Sequence, residues 1–229
     1  MTATQAKSQV RKERTLATRR RMVGAAYRLF CEKGYVATTM EGIAREADVA
    51  VPTLYFTFRT KGAILGEALG AAVGGLEEPV GPEDAPWYRA FKAEQDPRRA
   101  LRILVENTAV ILRRVGPLTA AIHGAANDPE VAAVRVLGEQ RRHEGYGQIV
   151  RLLAAKGGLR RGLTMARATD ILLVLLSPDL FEALEIGRGW SAADCDRWVV
   201  GVLSQQLLPP IEDVSPARAR AGRPGASSG

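Results

Sequence analysis

Cysteine and histidine are nearly missing: the 229 residues hold two of each. Cys31 and Cys195 stand far apart in apolar, helix-patterned stretches. That excludes a disulfide framework and any metal-ligand spacing, and it suits a reducing cytoplasm. A redox role for either thiol would call for a nearby resolving cysteine, which the sequence lacks. No HExxH pair, GxSxG elbow or glycine-rich phosphate loop occurs, so no catalytic residue, cofactor or metal site is expected. The longest strongly apolar run, ILLVLL at 171–176, falls far short of the ~20 residues that cross a bilayer. Alternating strand patterns and repeats of fixed period are also absent. What remains is an all-α chain with 46% hydrophobic and 25% charged residues.

Charge is present in plenty but unevenly placed. The net charge is +7; residues 1–61 carry twelve Lys/Arg against five Asp/Glu, while residues 62–229 carry twenty against twenty. The whole excess therefore sits in the first quarter, attached to an electrically balanced body. A polyanion or an anionic membrane surface would suit the N-terminal part as partner, with a solvated basic tail as the plain alternative. The Arg-rich start lacks a small-residue cleavage site and runs directly into a helical pattern, so an unprocessed, cytoplasmic chain is expected.

Residues 1–17 show little periodicity and read as a flexible basic arm. From Thr18 a helical stripe appears, Met22, Ala26, Leu29 and Phe30 with Val23 alongside, ending at Gly34. Thr38 and Glu41 have capping-box spacing for a second helix, with Thr39 as the alternative cap; its apolar face is Met40, Ile43, Ala44 and Ala47. ADVA breaks that helix at Asp48, and a third follows from Val51 to Phe58, where Pro52 falls harmlessly in the first turn. Thr60 can cap a fourth. After the Pro/Gly/acid-rich stretch 77–86, helical patterns cover 97–115, 117–126, 129–156, 165–176, 179–187 and 191–208. Pro97, Pro117, Pro129 and Pro178 stand at expected helix starts, and Thr164 and Ser191 are suitable caps. Residues 210–229, rich in Pro, Gly, Ser and Arg, read as a disordered tail.

Two short helices joined by a four-residue turn within a basic segment have the layout of a helix-turn-helix, whose second member enters the DNA major groove. On that reading Leu54 and Phe58 face the core with Ile43 and Ala47, while Thr53, Tyr55, Phe56 and Thr57 point outward. Lys61 would add a charge-assisted phosphate contact at a helix N-terminus.

The stretch TRRRMVGAAYRLFCEKGYVATTMEGIAREADVAVPTLYFTFRTKGAIL resembles the N-terminal domain of the TetR family of bacterial transcription regulators. The elements A..LF.EKGY.ATT, IA..A.V...TLY.F and a lysine opening the fourth helix carry the likeness over about 47 residues. The resemblance implies an all-α fold in which a three-helix helix-turn-helix DNA-binding domain (18–76, with the connecting helix) joins a C-terminal α-helical ligand-binding and dimerisation domain (77–209). It implies phosphate contacts from Thr39, Tyr55 and Lys61, and groove contacts from Thr53 and Arg45. Three departures stand out: Asp48 replaces the usual turn glycine, Ala50 the usual serine cap, and Phe56 and Thr57 the usual polar residue and histidine. Losing the serine cap costs about 0.5–2 kcal/mol of helix stability. Val51, Pro52 and Phe56 bring no hydrogen bonds to a base, so readout would rest on Thr53, Thr57, Arg45 and apolar contacts to thymine methyls. Phosphate contacts would then carry a larger share, with Arg19, Arg20 and Arg21 as candidates and the arm in a minor groove as one route.

For the body, the resemblance implies a homodimer formed by the last two helices on a near-palindromic double-stranded operator, released or tuned by a small-molecule effector. The helix 165–176 is apolar all round, and the last helix spreads Trp198, Val199, Val202 and Leu203 over more than one face. Leu172, Leu175, Phe181, Trp198 and Val202 are accordingly the expected dimer seam. Asn107, Thr108, His123, His143 and Tyr146 are candidate effector contacts, although each taken alone reads first as a satisfied core or surface group. Gly145 and Gly147, flanking Tyr146, would mark a kink or a close helix contact. The expected function is a ligand-responsive transcriptional repressor. The competing reading is a basic α-helical module that binds an anionic membrane or a protein.

Overall fold

The computed structural model describes residues 3–76 and 84–210. Ten helices run in order: α1 (Ala3–Ala37), α2 (Met40–Glu46), α3 (Val51–Phe58), α4 (Lys61–Gly74), α5 (Pro86–Ala93), α6 (Pro97–His123), α7 (Pro129–Ala155), α8 (Met165–Leu175), α9 (Pro178–Arg188) and α10 (Ala192–Leu207). The described residues contain no strand. The tail expected to be disordered lies outside them beyond Pro210, as do residues 77–83 of the connection.

Two hydrophobic cores organise these helices. The first gathers Phe30, Ile43, Leu54, Phe58, Ile64 and Leu65 from α1–α4. It is completed by Leu118, Ala121 and Ile122 of α6 and by Val131 of α7, so the ends of two body helices seal the N-terminal head. The second core packs Phe91 of α5, Leu101 and Leu104 of α6, Leu153 of α7, Leu172 of α8, Phe181 of α9 and Val199 and Leu203 of α10.

Most boundaries follow from capping chemistry. Asp96, Asp128, Thr164, Ser177 and Ser191 each accept a backbone N–H at a helix start, satisfying donors that the first turn leaves free. Four expectations need correction. First, α1 already begins at Ala3, inside the stretch read as a flexible arm. Its residues (Ala, Gln, Lys, Arg, Glu, Leu) are good helix formers, and extending a helix already nucleated by its packed half avoids the nucleation cost. Second, Pro117 does not start a helix, because α6 runs on through it to His123. A proline within a helix displaces the carbonyls three and four residues earlier, and Tyr27 Oη donates to one of them, Arg114 O, at 2.7 Å. Third, α5 was not foreseen, although Tyr88 and Phe91 are both buried at helical spacing behind Pro86. Fourth, α7 passes unbroken through Gly145 and Gly147, and the space beside Gly145 is open.

Candidate nucleic-acid interface

Local chemistry shapes α2 and α3. Thr39, rather than Thr38, is the cap of α2: Gly42 N–H donates to Thr39 Oγ1 at 3.0 Å. Thr38 is buried and its hydroxyl points back, to Leu29 O at 3.1 Å and Gly34 O at 2.7 Å. It thereby closes the end of α1, where Gly34 takes φ 76°. Asp48 makes the turn at φ 53°, a left-handed geometry that aspartate tolerates better than most residues. Ala50 precedes α3 with no side-chain cap hydrogen bond, and the Thr53 N–H donates to Ala50 O at 2.9 Å instead.

The outward face of α3 is apolar and free. Leu54 is fully buried and Phe58 nearly so, whereas Phe56 is 90% exposed and Tyr55 43% exposed. Pro52 and Thr53 are exposed and Val51 and Thr57 half-exposed. Tyr55 Oη has no partner among the described residues. Thr57 spends its hydroxyl proton on Thr53 O at 2.8 Å, leaving only acceptor capacity toward a base. Arg59, with no side-chain feature that would announce it, ends α3 at φ 64°. Arg45 is exposed on α2 and Arg20 and Arg21 on α1, and none of these three is in an ion pair. The free hydroxyl proton of capping Thr39 also faces solvent.

Two of the cations expected to contact phosphate are otherwise engaged. Arg19 is half-exposed, bonded twice to Glu67 of α4, once with Nε–Oε2 at 2.9 Å, and its guanidinium lies 4.8 Å from the centre of the Phe58 ring. It braces α1 against α3 and α4 and is not a free cation. Lys61 Nζ donates to Tyr35 O at 2.8 Å and Thr38 O at 2.9 Å and sits over the Tyr35 ring at 4.2 Å, which leaves one ammonium proton.

The N-terminus of α4, expected to face phosphate, is filled from within. Gly62 N–H donates to Glu130 Oε2 of α7 at 2.7 Å. Tyr35 Oη donates to the same oxygen at 3.4 Å, and burial together with the acidic neighbours Asp128 and Glu130 pushes the Tyr35 phenol well above its ordinary pKa. A Cβ on Gly62 would come within 2.4 Å of Glu130 Cβ, so only glycine permits this approach. A carboxylate at a helix N-terminus is favourably placed for the helix dipole. Sequence reading missed this tie because the partners lie 68 positions apart.

In the body, the residues expected to meet an effector do not converge. Asn107 donates to Ile103 O of its own helix at 2.8 Å, and Thr108 is buried. Tyr146 Oη donates to Leu176 O at 3.0 Å, and burial pushes its pKa up to about 12. Together with Arg142, which donates to Leu173 O and Leu176 O, it caps the end of α8. His123 and His143 are exposed. A surface groove of about 440 Å³ between α1 and α6, lined by Phe30, Cys31, Tyr35, Pro117 and Ala121 among others, contains none of the five. A second, of about 420 Å³ on α7, includes only His143. Burial raises the pKa of both thiols, Cys195 to about 11.

The expected dimer seam divides. Leu172 and Phe181 belong to the protomer's own core, and Leu175 is half-buried against it. Trp198 is 39% exposed and meets Trp190 edge-on with ring centres 5.8 Å apart; Ile186 on α9 is 81% exposed. Val202 is half-exposed, and beside Gly201 the space is open. Ile186, Trp190, Trp198 and Val202 thus leave apolar surface on the outer face of α9 and α10.

Residues 23–68 match the sequence model described as bacterial regulatory proteins, tetR family. No curated protein sequence matches the chain. Among solved structures, it resembles NalD, the secondary repressor of the MexAB-OprM multidrug efflux pump in Pseudomonas aeruginosa, at TM-score 0.64 and 21% identity, over 86% of this chain and 98% of that one. A transcriptional regulator FadR from Bacillus subtilis, solved with stearoyl-CoA, aligns at TM-score 0.65 and 16% identity, over 82% and 98%. A regulator from Saccharomonospora viridis, solved with choline, aligns at TM-score 0.62 and 19% identity, over 83% and 97%. At these identities the likeness to solved structures speaks for the fold.

Proposed function

We propose that this chain, whose residues 23–68 match the model of the tetR family of bacterial regulatory proteins, is a cytoplasmic, ligand-responsive repressor acting as a homodimer on a near-palindromic operator. The observation that carries this reading is the face of α3. Leu54 and Phe58 anchor the helix in the core while Pro52, Thr53, Tyr55 and Phe56 stand free on its other side. Those side chains suit a major groove: Phe56 and Pro52 offer apolar contact to thymine methyls, and Thr53 and Tyr55 offer hydroxyls to base edges or phosphate. Thr39 and Arg45 flank them on α2. Proteins of this fold have been solved with choline and with stearoyl-CoA, which supports a small-molecule effector for the body without naming it. Pairing through α9 and α10 would set two reading heads on one duplex, and a two-fold protein reads a two-fold site.

Selection of bound sites from random duplex DNA tests the reading. The expected result is an inverted repeat enriched in A·T pairs at the positions Phe56 and Pro52 contact. Absence of any preferred duplex, with binding to anionic vesicles instead, would replace this reading by the membrane-binding module.

A further inference from the structure

The helical start of α1 presents a cationic line that the helix-turn-helix does not use. Lys7, Arg14, Arg21 and Arg28 recur every seven residues, and Arg11 lies one turn beyond Lys7. On an α-helix a seven-residue repeat drifts by only about 20°, so these side chains share one face over about 30 Å of helix. The inner end of the line is located by Arg28, which bonds Glu46 at the end of α2 at 2.9 Å. The line therefore starts beside the end of α2 and runs outward from there along α1.

Nothing within the described chain neutralises the outer part. Every side chain from Lys7 to Ala17 is exposed. The only acid between Ala3 and Cys31 is Glu13, which lies off this face and accepts from Gln9 Nε2 at 3.0 Å. Exposed like charges on one helix face repel one another and weaken the helix by a few tenths of a kcal/mol per pair. An opposite charge from outside would reverse that cost. A bilayer is the poorer partner, because an interfacial helix needs an apolar face. The two exposed apolar residues here, Val10 and Leu16, are six positions apart and point about 120° away from each other.

We propose that this face is a second DNA-contacting element, a rigid rail in which Lys7, Arg11, Arg14 and Arg21 bind backbone phosphates next to the site read by α3. The inference rests on the DNA reading above and departs from a flexible arm threaded into a minor groove. A helical rail places point charges on successive phosphates and reads no bases.

The test uses the full chain, the duplex selected from random DNA, and the variant Lys7→Gln/Arg11→Gln/Arg14→Gln. Glutamine keeps the helix propensity and removes the charge. The variant should keep the wild-type circular dichroism and the wild-type ratio of affinities for selected and scrambled duplex. Its plot of log K against log salt should be shallower by about 0.9 per lost phosphate, or about 2.7 per bound protomer. Arg11→Lys/Arg14→Lys should retain the wild-type slope, since lysine supplies the same point charge. Equal slopes for wild type and the triple-glutamine variant, while the wild type still prefers its duplex, would overturn the rail and leave the DNA reading standing. A lost sequence preference in the lysine variant would overturn it in favour of base readout. Loss of binding only to phosphatidylserine vesicles would assign the face to membrane. A wild-type protein that prefers no duplex would sink the underlying reading, and the rail with it.

Discussion

Leu54 and Phe56 are two positions apart on α3 and face opposite worlds, one fully buried and the other 90% exposed. Leu54→Ala removes packing at the centre of the head and should cost about 2–5 kcal/mol, read as a shifted midpoint in urea. Phe56→Ala should leave the midpoint within about 0.5 kcal/mol while weakening operator binding, most strongly at the thymine-rich positions. An equal loss of stability in both would mean that Phe56 is core. Gly62 is the other decisive single residue. Gly62→Ala drives a Cβ into Glu130, and overpacking of that kind costs about 1–3 kcal/mol. Replacing Glu130 by glycine in the same chain should recover part of that loss, because the opposing Cβ goes with it. A double variant no better than the sum of its parts would show that the contact is slack.

Between elements, the densest tie is Arg113 of α6, which bonds Glu185 of α9 at 2.6 Å and Asp196 of α10 at 2.5 Å and donates to Ala192 O. All three charged side chains are largely buried, between 19% and 27% exposed. Arg113→Met leaves two carboxylates facing each other without their cation. The expected loss is up to about 3 kcal/mol, seen as a lower melting temperature that recovers partly when Glu185→Gln is added. The helix starts respond to acid in a related way. Asp96, the cap of α6, has its pKa lowered first by the Arg98 backbone N–H, and Asp194 at the start of α10 has its pKa lowered first by the Ser191 hydroxyl. Their folded pKa values lie below the unfolded ones, so the stabilisation is present above the ordinary carboxylate range and disappears as pH falls through the depressed values. Asp96→Asn/Asp194→Asn should flatten that acid limb in a pH series of unfolding curves. A limb of unchanged slope would show that other carboxylates govern it.

For the whole molecule, the arrangement couples a basic head to a neutral body through shared packing. The ends of α6 and α7 complete the head's core, and Glu130 at the start of α7 holds the start of α4. Glu130 thus ties the start of α7 to the start of α4, the helix that follows α3 in the chain. Pairing of two copies is the remaining whole-molecule question. Trp198→Asp places a charge beside Trp190 on the outer face of α9 and α10, and should convert the proposed dimer to monomer in sedimentation at micromolar concentration. Operator affinity should fall with it, since each head then binds alone. An unchanged mass would move the seam elsewhere.

Charge segregation, helix caps and the TetR-like run were all legible in the linear chain, because composition, local spacing and consecutive motifs need no folded partner. Thr60, Thr164 and Ser191 cap helices as expected, Thr39 does so as the alternative to Thr38, and Leu54 and Phe58 fall inside as their spacing required. The continuity of α6 through Pro117 was not legible, because a hydroxyl from Tyr27, 87 positions from the carbonyl it serves, helps to satisfy the displaced backbone. Nor was the engagement of Arg19 and Lys61, which look like free cations until α4 and the end of α1 are folded against them. Sequence by itself determined that this is a helical protein with a basic reading head. Only the tertiary structure decided which of its cations are free to meet DNA, since a charge is available only when no distant part of the chain has already paired it.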